Sequence, residues 1–402
     1  MLFGDFMDIG AEDRKYIEIT DREELDEILS HYLNDYNLTT TVPLHLVLFP
    51  DAVAHLCRIA RIMRQPMANG LLLGMGGSGR QSLSRLAASM AEMLCIQIEI
   101  SKQYGQAEWR DDLKQTMLKA GADNRGIVFL FSDAQIKMES FLEDLNNILS
   151  SGDVPNIYEA EDFDKIYMSV RHAVMEMNLA ATKTNLFSCY QRRVRSNLHI
   201  VVVMSPVGEI FRARLRQFPS LVNCCTIDWF SEWPKTALES VAKHFFEGMG
   251  ELQYASNEII TAMVSVCCFA HQSVVDASRR FLVRLNRLNY VTPMSYMEML
   301  GAYAEMFKKK QQAILRESNA LRTGLSKLNQ TEIEVKELQV ELADLKPLME
   351  KAADETRKVI DQIAIDSAIA EEARVKVEAE QQIAEQMASE TTAMAEDAMR
   401  DL

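Results

Sequence analysis

The chain has 402 residues, enough for two or three domains, and nearly half of them are apolar, so a sizeable core can be buried. Its 43 basic and 58 acidic side chains leave a net charge of −15, which argues against a general nucleic-acid binder. Seven cysteines without a C-x-x-C pair and seven scattered histidines form neither a disulfide framework nor a zinc pattern, so reduced thiols in a cytosolic compartment are expected. The N-terminus Met1–Asp5 carries no signal-peptide pattern, and no apolar stretch reads as long enough to span a membrane.

Residues 1–48 are a polar, acidic lead-in with one predicted helix over Asp21–Tyr36, capped by Asp21. A second helix is predicted from Pro50, with Val53, Leu56, Ile59, Ala60 and Met63 on one face. Pro66 and the Asn69-Gly70 pair end it. The apolar run Leu71-Leu72-Leu73 then enters a glycine-rich stretch, Gly74-Met75-Gly76-Gly77-Ser78-Gly79-Arg80-Gln81-Ser82. Beyond it, strand and helix patterns alternate: Ile96–Ile100, a helix over Trp109–Ala120, Ile127–Phe131, a helix over Phe141–Leu149, and His199–Met204. An arginine-rich helix from Glu209 to Leu215 and the run Cys225–Phe230 close the series. Such alternation, with fully apolar strands, predicts an α/β fold with a parallel sheet covered on both faces.

Residues 234–306 carry helical patterns only and read as a smaller helical domain. From about Leu321 the character changes. Leu321, Leu328, Val335, Leu342, Met349, Ile363, Ala370, Val377 and Ala384 share one heptad position, and Leu338, Leu345, Ala352, Val359, Ala373, Met387 and Met394 share the other. That is one strand of a coiled coil, about 95 residues that reach roughly 140 Å. Asp366 and Glu380 interrupt its alanine-rich end, and Pro347 is expected to kink or break it. A solvated single helix is the alternative. The chain holds no second heptad segment to pair with.

The glycine-rich stretch has the layout of a phosphate-binding loop, G-x-x-x-x-G-K-[ST], with two positions changed. Backbone N–H groups of Gly74, Gly76, Gly77, Ser78 and Gly79 can converge on phosphate oxygens, and the following helix adds its dipole. Arg80 stands at the lysine position and keeps a charge that could meet phosphate as a fork. Gln81 replaces the hydroxyl that normally ligates Mg²⁺, and Ser82 could substitute one residue later. A ligand-free strand-to-helix turn is the alternative.

A nucleotide hydrolase also needs two adjacent carboxylates at the end of a neighbouring strand, one for the metal and one to polarise water. Here Ile127–Phe131 is followed by Ser132-Asp133-Ala134-Gln135, so only Asp133 is acidic. It is either the metal residue beside a lost base, or a shortened base beside a lost metal residue; as a third reading it merely caps the next turn. Ser205, after the strand ending at Met204, could sense a terminal phosphate or belong to a Ser-Pro turn. The cluster Arg212, Arg214 and Arg216 is a solvated face or holds an arginine finger.

Taken together, Gly74–Leu86, Gln97–Lys102 with Trp109–Leu113, Phe129–Asp133 with Glu139–Pro155, Leu198–Gly208, Phe211–Trp229 with Trp233-Pro234, and Asn289–Pro293 with Ser295-Tyr296 resemble a dynein heavy chain of the axonemal, inner-arm type. The resemblance covers essentially the whole chain and corresponds to the fourth AAA+ module of the motor ring plus the first stalk strand. It implies a lead-in over 1–48, a P-loop AAA+ large subdomain over 49–233, a small helical subdomain over 234–306 and a stalk coiled-coil strand over 307–402. By position, Arg80-Gln81 stand for Lys-Thr of the loop, Ser132-Asp133 for the Asp-Glu pair, Ser205 for the sensor asparagine, and Arg214 for a finger that would serve the third module's site. The resemblance implies ATP or ADP as cofactor, with Mg²⁺ on Ser82 and Asp133. Its implied partners are neighbouring modules, the returning stalk strand, the microtubule, and light and intermediate chains. The implied setting is the axoneme of a cilium or flagellum, with neither nucleic acid nor membrane involved. The departures weigh against hydrolysis more than against binding. The principal ATPase module, the linker, the stalk tip and the returning strand are not represented, so a part of such a motor is expected. A structural spacer with an empty site, or another coiled-coil ATPase of the chromosome-maintenance or chaperone type, are the competing readings.

Overall fold

A computed structural model describes residues 1–11, 13–252 and 255–400; positions 401–402 of the expected stalk strand lie outside the described residues. The chain divides into two units, Met1–Lys308 and Lys309–Leu402.

The first unit is built on a five-stranded, wholly parallel sheet. Its strands are β3 (Gly70–Leu73), β4 (Leu94–Ile96), β5 (Ile127–Ser132), β6 (Leu198–Met204) and β7 (Thr226–Trp229), after a small antiparallel pair, β1 (Leu2–Gly4) and β2 (Ile17–Ile19). The order in the large sheet is β4-β5-β6-β3-β7. The alternation of side chains along each strand sorts them to two faces. Leu72, Val128, Leu130, Val201 and Val203 point into one core, with α2 (Pro50–Arg64), α3 (Arg80–Met90) and α10 (Lys235–Glu247). Leu71, Leu73, Phe129, Phe131, Ile200, Val202 and Met204 point into the other, with α4 (Gln106–Gly121), α5 (Glu139–Ser151), α6 (Ala160–Glu176) and α7 (Lys183–Asn197). That is why the central strands are apolar without alternation: both faces are covered.

The predicted helices form with margins of a few residues. α1 spans Arg22–Thr39, and Asp21 caps it by accepting the N–H groups of Glu23 and Glu24. α8 (Glu209–Gln217) and the short α9 (Ser220–Asn223) precede β7. The strand expected over Ile96–Ile100 stops at Ile96; beyond it the side-chain amide of Gln135 donates to the Ile98 carbonyl, which no strand partner takes. The β1–β2 pair is an addition to the sequence reading, since strands of three residues carry too little pattern to be recognised. All seven cysteines are free, and burial pushes the thiols of Cys57 and Cys225 up to about 11 and about 12, far from reactive thiolates.

Two expectations need correction. Helix α11 (Asn257–Leu285) is long and apolar enough to cross a membrane by length and composition, contrary to the sequence reading. Val264, Cys267 and Cys268 bury one side of it against the core around α10, whereas Val266, Phe269 and Val283 are exposed. Pro347 does not break the last helix, α12, which is continuous over Pro293–Arg400. Without an amide hydrogen, Pro347 leaves the Ala343 carbonyl without its helical donor, a local loss the rest of the helix tolerates. In the first unit, Tyr296, Leu300 and Ala304 are the buried stripe of α12. In the second unit the helix stands without other elements, and no described residue beyond Ala304 is buried.

Candidate nucleotide site

β3 runs between β6 and β7, and its carboxyl end releases the glycine-rich loop at the edge of the sheet core. The Gly74 amide donates to the Met204 carbonyl at 3.2 Å, which ties the loop's first residue to β6. Gly77 and Gly79 adopt φ values of +83° and +86°, a left-handed backbone that a side chain disfavours. Gly79 caps α3 without a side chain, which leaves the helix's first-turn amides for a ligand. At Gly77 a Cβ would lie 2.5 Å from the backbone nitrogen of Met294, in the first turn of α12; at Gly76 it would meet open space. The Ser78 hydroxyl is buried without a hydrogen-bond partner, an arrangement that normally costs stability unless a ligand or water completes it.

The structure brings Arg80, Asp133 and Ser205 to the loop's base and gives each a structural task. The phosphate fork expected of Arg80 is not what it forms. Its guanidinium turns inward, donating to the carbonyls of Met204 at 2.6 Å, Met75 at 3.1 Å and Leu72 at 3.5 Å. Burial pushes its pKa down, and the nearby Asp133 charge opposes that shift. Asp133 opens a single 3-10 turn and accepts the Ser205 N–H at 3.0 Å. Ser132, at the other acidic position, is buried; its N–H and hydroxyl both donate to the Gln135 side-chain carbonyl, at 2.7 and 3.1 Å. Gln81 accepts from Gln97 at 3.4 Å, and Ser82 lies half-buried in the first turn of α3. Arg214 is held elsewhere, donating to Glu139 at the start of α5 at 2.8 and 3.1 Å. Sequence reasoning missed Gln135, Gln97, Glu139 and Met294. A capping box at Ser132 and Gln135 was the one local signal that pointed to any of them.

Two cavities flank Ser78. One, of about 240 Å³, is lined by Phe49, His55, Arg58, Phe230 and Trp233. The His55 ring stacks on Phe230 with centroids 3.8 Å apart, and its Nδ1 lies 2.7 Å from the buried Asp228 carboxylate, which Arg58 also meets at 2.9 Å. The other, of about 70 Å³, is lined by Met75, Glu232, Trp233, His271 and Arg279. An aromatic wall beside a loop of amides suits a nucleotide base and its phosphates. The unsatisfied Ser78 hydroxyl and the glycine cradle fit that group. A protein-held Mg²⁺ fits poorly: Asp133 at the loop's base already accepts the Ser205 amide, and Ser132 beside it brings no carboxylate. No group of three or more His, Cys, Asp or Glu side chains is assembled for a metal among the described residues.

The model of the "P-loop containing dynein motor region D4" matches residues 44–306. The chain belongs to that dynein motor family. It is 50% identical over 396 residues to dynein axonemal heavy chain 1 of Mus musculus, covering 98% of this chain and 9% of that protein. It is 40% identical over 401 residues to dynein axonemal heavy chain 6 of Homo sapiens, covering 99% of this chain and 10% of that protein. The dynein-1-beta heavy chain of the flagellar inner arm I1 complex of Chlamydomonas reinhardtii is 43% identical over 334 residues, 83% of this chain and 7% of that protein. The chain thus spans no more than about a tenth of the length of these three dyneins. The dynein D4 match takes in the sheet, the loop and the helical region through Met306, and the long helix follows it.

Proposed function

We propose that this chain is a nucleotide-holding, hydrolysis-deficient regulatory module of a ciliary dynein motor, and that it roots the microtubule-binding stalk. One observation carries the reading. The side chains that would perform hydrolysis are occupied by structural bonds, whereas the Gly76, Gly77 and Gly79 amides carry no described backbone bond, those of Gly74 and Ser78 being taken by the Met204 and Met75 carbonyls, and the Ser78 hydroxyl beside them is unsatisfied. Loop amides and the α3 N-terminus would hold the phosphates of ATP or ADP, and the Phe230 and Trp233 side of the cleft would take the base. Hydrolysis needs a carboxylate free to orient water. Asp133 is committed to Ser205, and Ser132 offers none.

The large subdomain would extend over 49–233, the small one over 234–306 and the stalk strand over 307–402. A returning strand would pair with the exposed heptad seam. Neighbouring AAA+ modules would complete the ring, and Arg214 would serve the preceding one on leaving Glu139. The motor would work in the axoneme with its light and intermediate chains and a microtubule track.

Calorimetric titration of the chain with ATP and ADP, with and without Mg²⁺, followed by a phosphate-release assay, tests the reading. Binding without release is expected. Gly79→Val, which forces a branched side chain into φ +86°, should abolish binding. Unchanged affinity in that variant rejects the placement of the site. A spacer with an empty site is the second reading, favoured by the Met294 backbone lying against Gly77; no binding by the wild-type chain, alone and in a complete ring, would establish it.

A further inference from the structure

The cradle presents no cation of its own, because the Arg80 guanidinium is spent on three carbonyls beneath it. Met294, the α12 residue that lies against Gly77, brings none either. Phosphates held only by amides would keep most of their charge uncompensated. Two arginines line the cavities beside Ser78: Arg58 is committed to the buried Asp228 carboxylate at 2.9 Å, whereas Arg279 is placed to change this. Arg279 lines the small cavity with Ser78 and Met75, and a neighbouring one with Met75 and Tyr290. It stands on the α11 face that also carries His271, Gln272 and Val275, steps of one, three and four residues that put all four on one side of the helix. Its guanidinium rests 3.6 Å from Glu232, on the segment between β7 and α10, and 3.6 Å from Asp276. Both contacts are long, and the Arg279 and Glu232 side chains are 65% and 73% exposed. Such a surface pair contributes little and is readily exchanged. A phosphate group offers the same guanidinium two short, charge-assisted bonds.

We propose that Arg279 is the cation that receives the nucleotide's phosphates in this module, with Glu232 as its exchangeable partner. The proposal rests on the nucleotide-holding reading and adds the residue that gives the site its preference for phosphorylated ligands. It also places that charge on α11, so phosphate would draw the helical region and the loop together.

The test is calorimetric titration of the full chain and its variants with ADP and with adenosine. Thermal melts would confirm that each variant folds, as exposed side chains permit. Arg279→Ala should weaken ADP binding about tenfold and leave adenosine unchanged, and Arg279→Lys should lose less. Glu232→Gln should tighten ADP about twofold to threefold by freeing the guanidinium. Arg280→Ala, one residue on and exposed, should change neither. Equal loss of ADP and adenosine in Arg279→Ala would mean a structural role and overturn the proposal. Unchanged ADP affinity in Arg279→Ala, with binding lost in Gly79→Val, would overturn it while leaving the nucleotide site standing. A wild-type chain that binds neither ligand, alone and in a complete ring, overturns both.

Discussion

Arg80 shows how one residue can keep its charge and change its task. A lysine ammonium is compact and reaches out of a phosphate loop; a planar guanidinium offers a fork that fits several carbonyls at once. Here the fork joins the ends of β3 and β6 to the loop, with an acceptor in Met204, 124 residues away in sequence. Arg80→Ala should therefore cost about 2–4 kcal/mol of stability, because three carbonyls, those of Leu72 and Met204 buried, lose a charged donor. Arg80→Lys should recover part of that, since one ammonium cannot reproduce the fork. Urea unfolding of the three proteins measures this, and an unchanged midpoint in Arg80→Ala would contradict the bonding described. The presence of an arginine was legible from the sequence. Its direction was not, because its acceptors are backbone carbonyls, which every residue possesses and no side-chain pattern marks.

At the scale of elements, the contact between the phosphate loop and α12 is the most consequential. The backbone of Met294 approaches Gly77 so closely that even a methyl group would overlap it. Gly77→Ala should therefore cost about 1–3 kcal/mol in backbone strain, and it should also displace the first turn of α12. Hydrogen exchange should quicken at the amides of residues 294–300. Gly79→Ala is the control: its φ is equally positive, but the nearest atom to the added Cβ is Leu83 Cδ1 at 3.9 Å. It should show the strain without the α12 effect. Equal exchange in both variants would separate the loop from the helix. The strands, by contrast, were readable because Leu71–Leu73, Ile127–Phe131 and His199–Met204 each need apolar side chains on both faces. The β1–β2 pair and the end of β4 were not, since they depend on partners distant in the chain.

At the scale of the whole molecule, the two units differ in what stabilises them. Residues 1–308 bury two cores on either side of a sheet. Residues 309–402 bury nothing among those described, and seam residues such as Leu321 are 70% exposed. A contiguous apolar seam drives association. Sedimentation equilibrium should show concentration-dependent self-association of the chain. Replacing Leu328 and Leu342 with serine should abolish it, while the thermal transition of the first unit stays where it was. A shift of that transition would show that the seam contributes to the first unit's stability.

The amino-acid order by itself determined the strand and helix pattern, the loop with its altered Arg80 and Gln81, the broken acidic pair at Ser132 and Asp133, and the heptad seam. Each is a local feature, written in side chains a few positions apart. Only the tertiary structure decided that Arg80 points inward, that Asp133 is taken by the Ser205 amide, that Met294 lies on Gly77, and that Arg279 faces the same cleft. Those depend on where backbone carbonyls and amides of distant segments come to rest once both cores close. Backbone groups are the same at every position, so the sequence carries no mark of which ones will meet.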